Sequence, residues 1–332
     1  MVKFLAKMLE KFTIDIAPKF PIRFRTPLYA SVLRIRKVRD NLRIKSTSKD
    51  PTFQERLNYA LDSRNSLNRT GSQLSKFQKD VEVEKIENLN IPIYKFIPDE
   101  VDEDKFGIYF HGGGYFAGSY TSHKNLVSKL SSNSKMVIYF FEYRLSPEFN
   151  FPSANEDAQV VVEYLHNLEN KKTSIWMGES AGGGLATGLI VDKKFKISPD
   201  KLVLMSPWLD LSSKSEDRKF LKNKDITIIL NGMHDVGEFY AGEYGSNNPI
   251  ISPIYADIDN FPETLIQVSS SELLFNDALE FVKKLNDKNI KVDLQIWNKL
   301  WHAWHFFPIK ESEEAIDKII KFIKQPQFQS SK

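Results

Sequence analysis

A serine within a glycine-containing pentapeptide, GESAG at residues 178–182, is well placed for covalent chemistry. An apolar run ending in Met177 precedes it, and small residues that favour a helix follow it. A sharp turn from strand to helix exposes a serine hydroxyl and aims the next backbone N–H group at the same point. Glycines permit that turn because the serine adopts a positive φ and neighbouring side chains would not fit. The pattern predicts Ser180 as a nucleophile, although a Gly- and Ser-rich helix start has the same spacing.

A second motif consists of three glycines after an apolar strand. Residues 106–110 read FGIYF, and His111 is followed by Gly112, Gly113 and Gly114. Acyl transfer needs N–H donors where the carbonyl oxygen becomes negative, and glycine backbone presents them without steric obstruction. We expect this loop to form half of an oxyanion hole, with the N–H of Ala181 at a helix start as the other half. A phosphate-binding loop would end in Gly-Lys-Ser/Thr, which this loop does not.

A serine nucleophile needs a base, and the chain has six histidines. Where a serine occupies such a turn, the order along the chain is serine, acid, histidine, which excludes the three histidines before Ser180. His234 lies in a region without strand character and is interpreted as a packing or solvated residue. His302 and His305 follow residues 292–297, whose alternation predicts the last strand. Either is suitably placed to be the base.

The base in turn needs a carboxylate that orients it and stabilises its charged form. Residues 263–272 read ETLIQVSSSE, a strand pattern with an acid at its carboxyl end, where catalytic groups collect in open α/β sheets. This predicts Glu272 as the acid. Asp277 is the alternative, although acids are also favoured in the first turn of a helix such as the one expected at 278–285.

Several separated motifs together resemble the hormone-sensitive-lipase-like branch of the α/β-hydrolase esterases. They are HGGG at 111–114, EYRLSPE at 142–148 with Phe151-Pro152 and Glu156-Asp157-Ala158, and GESAGG at 178–183. The resemblance covers roughly residue 80 to the C-terminus. It implies Ser180 as nucleophile, His302 as base, and Gly113, Gly114 and Ala181 as oxyanion donors.

The resemblance also favours His302 over His305, because His302-Ala303-Trp304 matches the family's His-x-aromatic ending. His305 would then lie at the pocket wall or behind it. The chain departs from the family at 272–274, where Glu-Leu-Leu replaces the Asp-Pro-Leu of many members. A glutamate is one methylene longer and does the same orienting work, and some members use it.

Composition indicates one catalytic domain with a small accessory region. The chain has 332 residues, of which 41% are hydrophobic and 27% charged. It has no cysteine, which excludes disulfides, thiolate metal sites and cysteine nucleophiles and fits a reducing, cytoplasmic location. No transmembrane span is expected, and charges interrupt the apolar N-terminus, so we expect no signal peptide. The predicted chemistry requires neither a metal nor an organic cofactor.

The N-terminus is strongly basic: residues 1–46 contain 12 Lys or Arg and 3 Asp or Glu. On a helix, the apolar residues of this segment would lie on one face and its lysines mostly on the other. The apolar residues are Phe4, Leu5, Met8 and Leu9, and the lysines are Lys3, Lys7 and Lys11. Such a segment suits a membrane surface or a nucleic acid, but no nucleic-acid motif accompanies it. The resemblance implies instead a helical cap over the active site. Weak membrane-surface contact and a homodimer are left open.

Alternating patterns predict an α/β fold with a mostly parallel central sheet and helices on both faces. Strands are expected at 81–96, 106–110, 136–143, 173–177, 201–206, 263–268 and 292–297. Helices are expected at 122–131, 156–167, 182–191, 235–244, 278–285 and 311–322. We divide the chain into an N-terminal helical cap segment, 1–50, and an α/β-hydrolase catalytic domain, 51–332, with a cap insertion at about 212–260.

The predicted reaction is two-step acyl transfer from a small-molecule acyl ester to water. Short or medium acyl chains are expected because the resemblance implies a capped pocket. Candidate pocket walls are Tyr115, Phe116, Trp208 and Trp304. An amidase or deacetylase would use the same residues, a membrane-associated lipase would use the N-terminus as an anchor, and a binding module would be expected to lack part of the triad.

Overall fold

A single sheet of eight strands runs through the centre of the protein. The computed structural model describes residue 8 and residues 11–45, 51–170, 172–213 and 218–326. The strands are β1 Val81–Ile86, β2 Ile93–Pro98, β3 Lys105–Phe110, β4 Val137–Phe141, β5 Thr173–Glu179, β6 Lys201–Met205, β7 Glu263–Ser269 and β8 Val292–Trp297. Their spatial order is β1-β2-β4-β3-β5-β6-β7-β8. The β1–β2 and β2–β4 pairs are antiparallel and the other pairs are parallel, so the prediction of a mostly parallel sheet is confirmed.

The strand predicted over residues 81–96 is instead a hairpin of two strands. Residues 87–92, ENLNIP, separate β1 from β2, and Val81 pairs with Pro98. Asparagine and proline favour turns, so this segment reverses the chain. The hairpin adds two strands to the edge of the sheet, away from the strands that lead to Ser180 and His302.

Helices cover both faces of the sheet, as predicted. Their bounds are α1 Ile22–Lys45, α2 Phe53–Leu74, α3 Tyr120–Ser134, α4 Ser153–Leu168, α5 Ala181–Val191, α6 Arg218–Leu221, α7 Leu230–Ala241, α8 Phe275–Asp287 and α9 Lys310–Lys324. Apolar side chains of α4, α5 and α8 form the core on one face, and those of α3 and α9 form it on the other. Among the described helices, none combines the length and the apolar composition that a bilayer crossing requires.

The N-terminal helices pack onto the part of the chain that surrounds His302. Tyr29 and Leu33 of α1 belong to one buried cluster with Trp301 and Trp304. Of the residues on the two faces predicted for residues 3–11, the structure describes Met8, which is exposed, and Lys11. The others lie outside the described residues. The helix α2 is not among the predicted elements. It begins with a capping box, in which Thr52 and Glu55 each accept a hydrogen bond from the other's backbone N–H.

Candidate active site

Ser180 lies at the turn between β5 and α5 with a φ of 53°, a value that few residues other than glycine adopt. Its N–H donates to the carbonyl of Met205 at 3.0 Å, and its own carbonyl accepts from the N–H of Trp208 at 2.9 Å. A Cβ atom on Gly182 would lie 2.0 Å from the carbonyl oxygen of Phe110. The turn therefore has the positive φ and the close backbone approach that the pentapeptide predicted.

The imidazole of His302 lies between Ser180 and Glu272. Its Nε2 is 2.8 Å from Ser180 Oγ, and its Nδ1 is 2.8 Å from Glu272 Oε2. Glu272 follows β7 and His302 follows β8, two neighbouring parallel strands whose carboxyl ends meet at one edge of the sheet. In a neutral ring, Nδ1–H donates to Glu272 and Nε2 accepts from the Ser180 hydroxyl. This arrangement suits a nucleophile, a base and an orienting acid.

The carboxylate of Glu272 is fully buried and is held by groups other than His302. Its Oε1 accepts hydrogen bonds from the Ser269 N–H at 2.7 Å and from the Ser206 hydroxyl at 2.9 Å. Burial raises the pKa of Glu272, and the hydrogen bond with His302 and that residue's charge oppose the rise. The two contacts to Oε1 leave Oε2 directed at the imidazole.

Three carboxylates favour the charged form of His302. Burial lowers the pKa of the ring, but the hydrogen bond and charge of Glu272 act against it, as do the charges of Asp225 and Glu179. Together they outweigh burial, and the pKa of His302 is raised above its usual 6.5. A proton taken from Ser180 would therefore be stabilised on this ring.

The alternative acid and the alternative histidine have other partners. Asp277 pairs with Arg218, and burial raises the pKa of Asp277 to about 6 despite that partner's charge. His305 Nε2 is 2.8 Å from Gln267 Oε1, and burial lowers the pKa of His305 to about 3. The structure thus brings Glu272 and His302, rather than these two residues, to Ser180.

The N–H groups of Gly113, Gly114 and Ala181 have no hydrogen-bond acceptor among the described residues. Gly113 has a φ of 113° and Gly114 a φ of 64°, which side chains disfavour. The loop is closed by the N–H of Ala117, which donates to the carbonyl of Gly113 at 2.9 Å. Ala181 is the first residue of α5, where N–H groups lack intrahelical partners. These donors remain available to an anion beside Ser180.

A buried pair, Glu179 and His123, was not singled out from the sequence. His123 Nε2 is 2.8 Å from Glu179 Oε1, and the same oxygen accepts the N–H of Gly112. Ser122 Oγ lies 2.8 Å from His123 Nδ1. Because Glu179 immediately precedes Ser180, the pair connects the glycine loop to the nucleophile turn. In the sequence, the signal for this pair is Glu179, the acid of the pentapeptide. Its partner His123 is far away along the chain, so spacing cannot identify it.

A cavity of about 470 Å³ opens beside Ser180 and His302. The helices α1, α2 and α7 and the glycine loop contribute to its wall. Apolar residues of the wall include Leu33, Tyr59, Leu67, Ile226, Met233 and Val236. The cavity is thus a mainly apolar site that reaches the serine hydroxyl.

Two of the four candidate wall residues line this cavity, namely Phe116 and Trp208. Tyr115 does not, because its ring is buried and stacks on Tyr240 at 4.0 Å. Trp304 does not either, because its ring is buried in the cluster with α1. In this structure the rings of Tyr115 and Trp304 belong to the core, whereas Phe116 and Trp208 lie at the cavity wall.

Known proteins resemble this chain in sequence and in fold. A family model described as alpha/beta hydrolase fold matches residues 107–306. An esterase of Acinetobacter venetianus is 30% identical over 220 residues, 64% of this chain and 73% of that protein. An acetyl-hydrolase of Streptomyces hygroscopicus is 29% identical over 222 residues, 65% of this chain and 74% of that protein. A crystal structure described as a hormone-sensitive lipase from a metagenome library matches with a TM-score of 0.78 at 25% identity, covering 90% of this chain and 97% of that one.

Proposed function

The chain belongs to the alpha/beta hydrolase fold family, in its hormone-sensitive-lipase-like branch, and we propose that it hydrolyses short- to medium-chain carboxylic esters. Ser180, His302 and Glu272 are the proposed triad. One observation carries the proposal: the ring of His302 lies 2.8 Å from both Ser180 Oγ and Glu272 Oε2. The esterase and acetyl-hydrolase relatives support ester hydrolysis as the reaction.

In the proposed first step, Ser180 Oγ attacks the ester carbonyl carbon while His302 Nε2 takes the hydroxyl proton. Negative charge develops on the carbonyl oxygen, where the N–H groups of Gly113, Gly114 and Ala181 donate to it. The imidazolium then gives its proton to the leaving alcohol as the carbon–oxygen bond breaks. An acyl-serine ester remains on the protein.

In the proposed second step, His302 Nε2 takes a proton from water as the water oxygen attacks the acyl carbon. The imidazolium returns the proton to Ser180 Oγ, and the free carboxylic acid leaves. Throughout, Glu272 remains ionised, fixes the ring orientation and stabilises the positive charge on the ring.

We assign the cap over this site to the N-terminal segment, residues 1–50, and to an insertion at about 212–260. Leu33 of α1 and Met233 of α7 line the cavity from these two segments. We add α2 to the cap, because its Leu67 lines the same cavity. A volume of about 470 Å³ supports an acyl ester of small or moderate size, since pockets for small ligands measure roughly 300–1,000 Å³.

The test compares hydrolysis of p-nitrophenyl acetate and butyrate by the wild type and by Ser180→Ala, together with fluorophosphonate labelling. The control is Ser31→Ala, an exposed serine whose hydroxyl donates to the carbonyl of Pro27. We expect wild type and Ser31→Ala to be equally active and labelled. Ser180→Ala should lose labelling and fall in kcat by about 10⁴-fold or more. Undiminished turnover in Ser180→Ala would contradict the assignment.

Amide hydrolysis or deacetylation is the alternative with the same residues. A panel pairing each p-nitrophenyl ester with its p-nitroanilide separates the two reactions. We expect esters to have the higher kcat/KM at equal acyl length. Higher kcat/KM on the anilides would favour the amidase.

Contact with a membrane surface is supported by the outer face of α1. Phe24, Ile35 and Val38 are exposed there by 47%, 47% and 61%, and Arg23 and Arg34 are exposed beside them. Basic and apolar residues on one helix suit a surface of anionic lipid. Co-sedimentation with anionic vesicles, lost on changing Phe24 and Ile35 to Asp, would favour a membrane-associated lipase.

A further inference from the structure

A turn in the insertion, residues 225–228, is organised around a buried carboxylate. Asp225 is 1% exposed. Its Oδ1 accepts from the N–H of Thr227 at 2.8 Å, from the N–H of Ile228 at 2.9 Å and from the Thr227 hydroxyl at 2.8 Å. Four hydrogen bonds, including one to Oδ2, hold this acid in place. The catalytic scheme proposed above does not use it.

The same turn contacts both loops that carry the acid and the base. The N–H of Leu273, the residue after Glu272, donates to Asp225 Oδ2 at 2.9 Å. The N–H of His302 donates to Thr227 Oγ1 at 3.3 Å. Because the Thr227 hydroxyl gives its own proton to Asp225, an oxygen lone pair is free to accept from His302. Asp225 is thereby hydrogen-bonded directly to the loop that carries Glu272, and through the Thr227 hydroxyl to His302.

We propose that Asp225 is a positioning residue for the hydrolysis of esters: through Leu273 and Thr227 it holds the Glu272 and His302 loops at a fixed separation. The proposal rests on the proposed function and adds to it a role for the insertion. Asp225 does not touch the reacting atoms. It acts through Leu273 and Thr227 on the loops that do.

The two loops follow different strands, so their separation must be fixed by contacts between them. One contact is on the sheet side, where the Ser206 hydroxyl donates to Glu272 and accepts from the N–H of Ala303 at 3.4 Å. The Ser269 hydroxyl also joins the two loops, donating to the carbonyl of Leu300 at 2.9 Å, and the Asp225 turn adds a contact from the insertion. A displacement of about 1 Å in such a constellation can cost about 10²-fold in rate. Loss of the contact through Asp225 should therefore appear in kcat.

The insertion turn is itself held by α1. Lys37 Nζ donates to the carbonyl oxygens of Lys222 and Asp225. Charged groups that act on His302 are Glu272, Asp225 and Glu179, each favouring its protonated form. Lys37 carries the opposite charge near Asp225. Removing the charge of Asp225 should consequently make His302 a weaker base.

The experiment uses the full chain with four variants, Asp225→Asn, Thr227→Val, Thr227→Ser and Thr264→Val, on p-nitrophenyl butyrate. Rates are normalised to sites titrated with a fluorophosphonate. Thr264→Val is the control, because that buried hydroxyl donates to the carbonyl of Pro262 at 2.8 Å, at the opposite end of β7 from Glu272. Each variant is also measured across pH to locate the acid limb of kcat/KM.

We expect Thr227→Val to lower kcat about tenfold, the size of one lost hydrogen bond, with KM nearly unchanged. Thr227→Ser should restore kcat, and neither change should move the acid limb. Asp225→Asn should lower kcat by about 10²-fold and shift the acid limb to lower pH. Thr264→Val should match the wild type in both readouts.

Wild-type kcat and an unmoved acid limb in Asp225→Asn and Thr227→Val, even with a lowered melting temperature, would overturn the proposal. Such a result would assign the turn to folding alone. If Asp225→Asn does not fold, the Thr227→Val and Thr227→Ser pair decides, and equal kcat in both overturns the proposal. A wild type that hydrolyses no ester would instead overturn the proposed function, and this role with it.

Discussion

Asp277 lies against Arg218, with Arg218 Nη2 2.5 Å from Asp277 Oδ2, and both side chains are buried. Asp277 comes five residues after Glu272, and both follow β7. The helix α8 begins at Phe275, and its first turn contains Asp277. Only Glu272 reaches the imidazole of His302. The same stretch of sequence thus contains one acid beside His302 and one in a buried ion pair.

The first prediction contrasts these two acids. Glu272→Gln should lower kcat by about 10⁴-fold, because an amide in place of the carboxylate no longer selects the required tautomer of His302. Asp277→Asn should leave kcat per titrated site within a few-fold. It should lower the free energy of unfolding by about 3 kcal/mol, because the buried charge of Arg218 loses the nearer of its two carboxylate partners, Asp277 and Asp210.

Steady-state kinetics and thermal unfolding of both variants provide the measurement. Asp225, whose charge also acts on Glu272, is present in both variants and therefore cannot account for a difference between them. The assignment fails if Asp277→Asn loses as much kcat as Glu272→Gln while remaining folded.

Much of the fold could be predicted because its signals are local. An apolar run, a glycine motif and an acid at a strand end are each contained in a few neighbouring residues. The mostly parallel sheet and the helices on both faces follow from the order of such segments. The hairpin at 81–98 could not be recognised from the alternating pattern because apolar residues continue through its turn. Only Asn88, Asn90 and Pro92 indicated a chain reversal there.

Features that depend on distant pairing could not be predicted. The helix α2 is rich in polar residues and lacks a strong apolar stripe, and only its Thr52 and Glu55 capping pattern indicated a start. His123 and Glu179 are 56 residues apart, so nothing local relates them. Tyr115 lies beside the glycine loop but packs on Tyr240 of α7, a contact that no spacing reveals.

The second prediction concerns pH. In the proposed mechanism His302 must be neutral to accept the Ser180 proton, so kcat/KM should fall as pH drops through the pKa of His302. Because Glu272, Asp225 and Glu179 together raise that pKa, the midpoint of the acid limb should lie above 6.5.

A kcat/KM profile between pH 5 and pH 9 measures this midpoint. The residual activity of Glu272→Gln provides the comparison, and its midpoint should lie at lower pH than the wild type's, because the strongest support for the imidazolium is lost. A wild-type midpoint below 6.5 would contradict the electrostatic argument.

The third prediction tests whether Glu179 holds the glycine loop. Its Oε1 accepts from both Gly112 N–H and His123 Nε2. Glu179→Gln keeps an oxygen able to accept both bonds, whereas Glu179→Ala leaves two buried donors without an acceptor. We expect the alanine variant to lose about 10²-fold in kcat through a displaced oxyanion site, and the glutamine variant to lose much less.

Kinetics on p-nitrophenyl butyrate with titrated sites distinguishes the two variants. The melting temperature should also fall further in Glu179→Ala. Equal kcat in the two variants would show that charge, rather than the hydrogen-bond acceptor, is what the site requires of Glu179.

The fourth prediction concerns acyl length and the α2 part of the proposed cap. Leu67 lines the cavity of about 470 Å³, whereas Leu61, on the same helix, is 44% exposed. Leu67→Trp should fill part of the cavity and shift the preferred p-nitrophenyl ester to a shorter acyl chain, and Leu61→Trp, the matched control, should not.

In the wild type, kcat/KM should fall about tenfold or more between butyrate and palmitate, because a long chain exceeds the enclosed space. A series from acetate to palmitate measures all three proteins. Equal kcat/KM on palmitate and butyrate would contradict the expected limit on acyl length. Identical acyl-length profiles for the two tryptophan variants would show that α2 does not determine this preference.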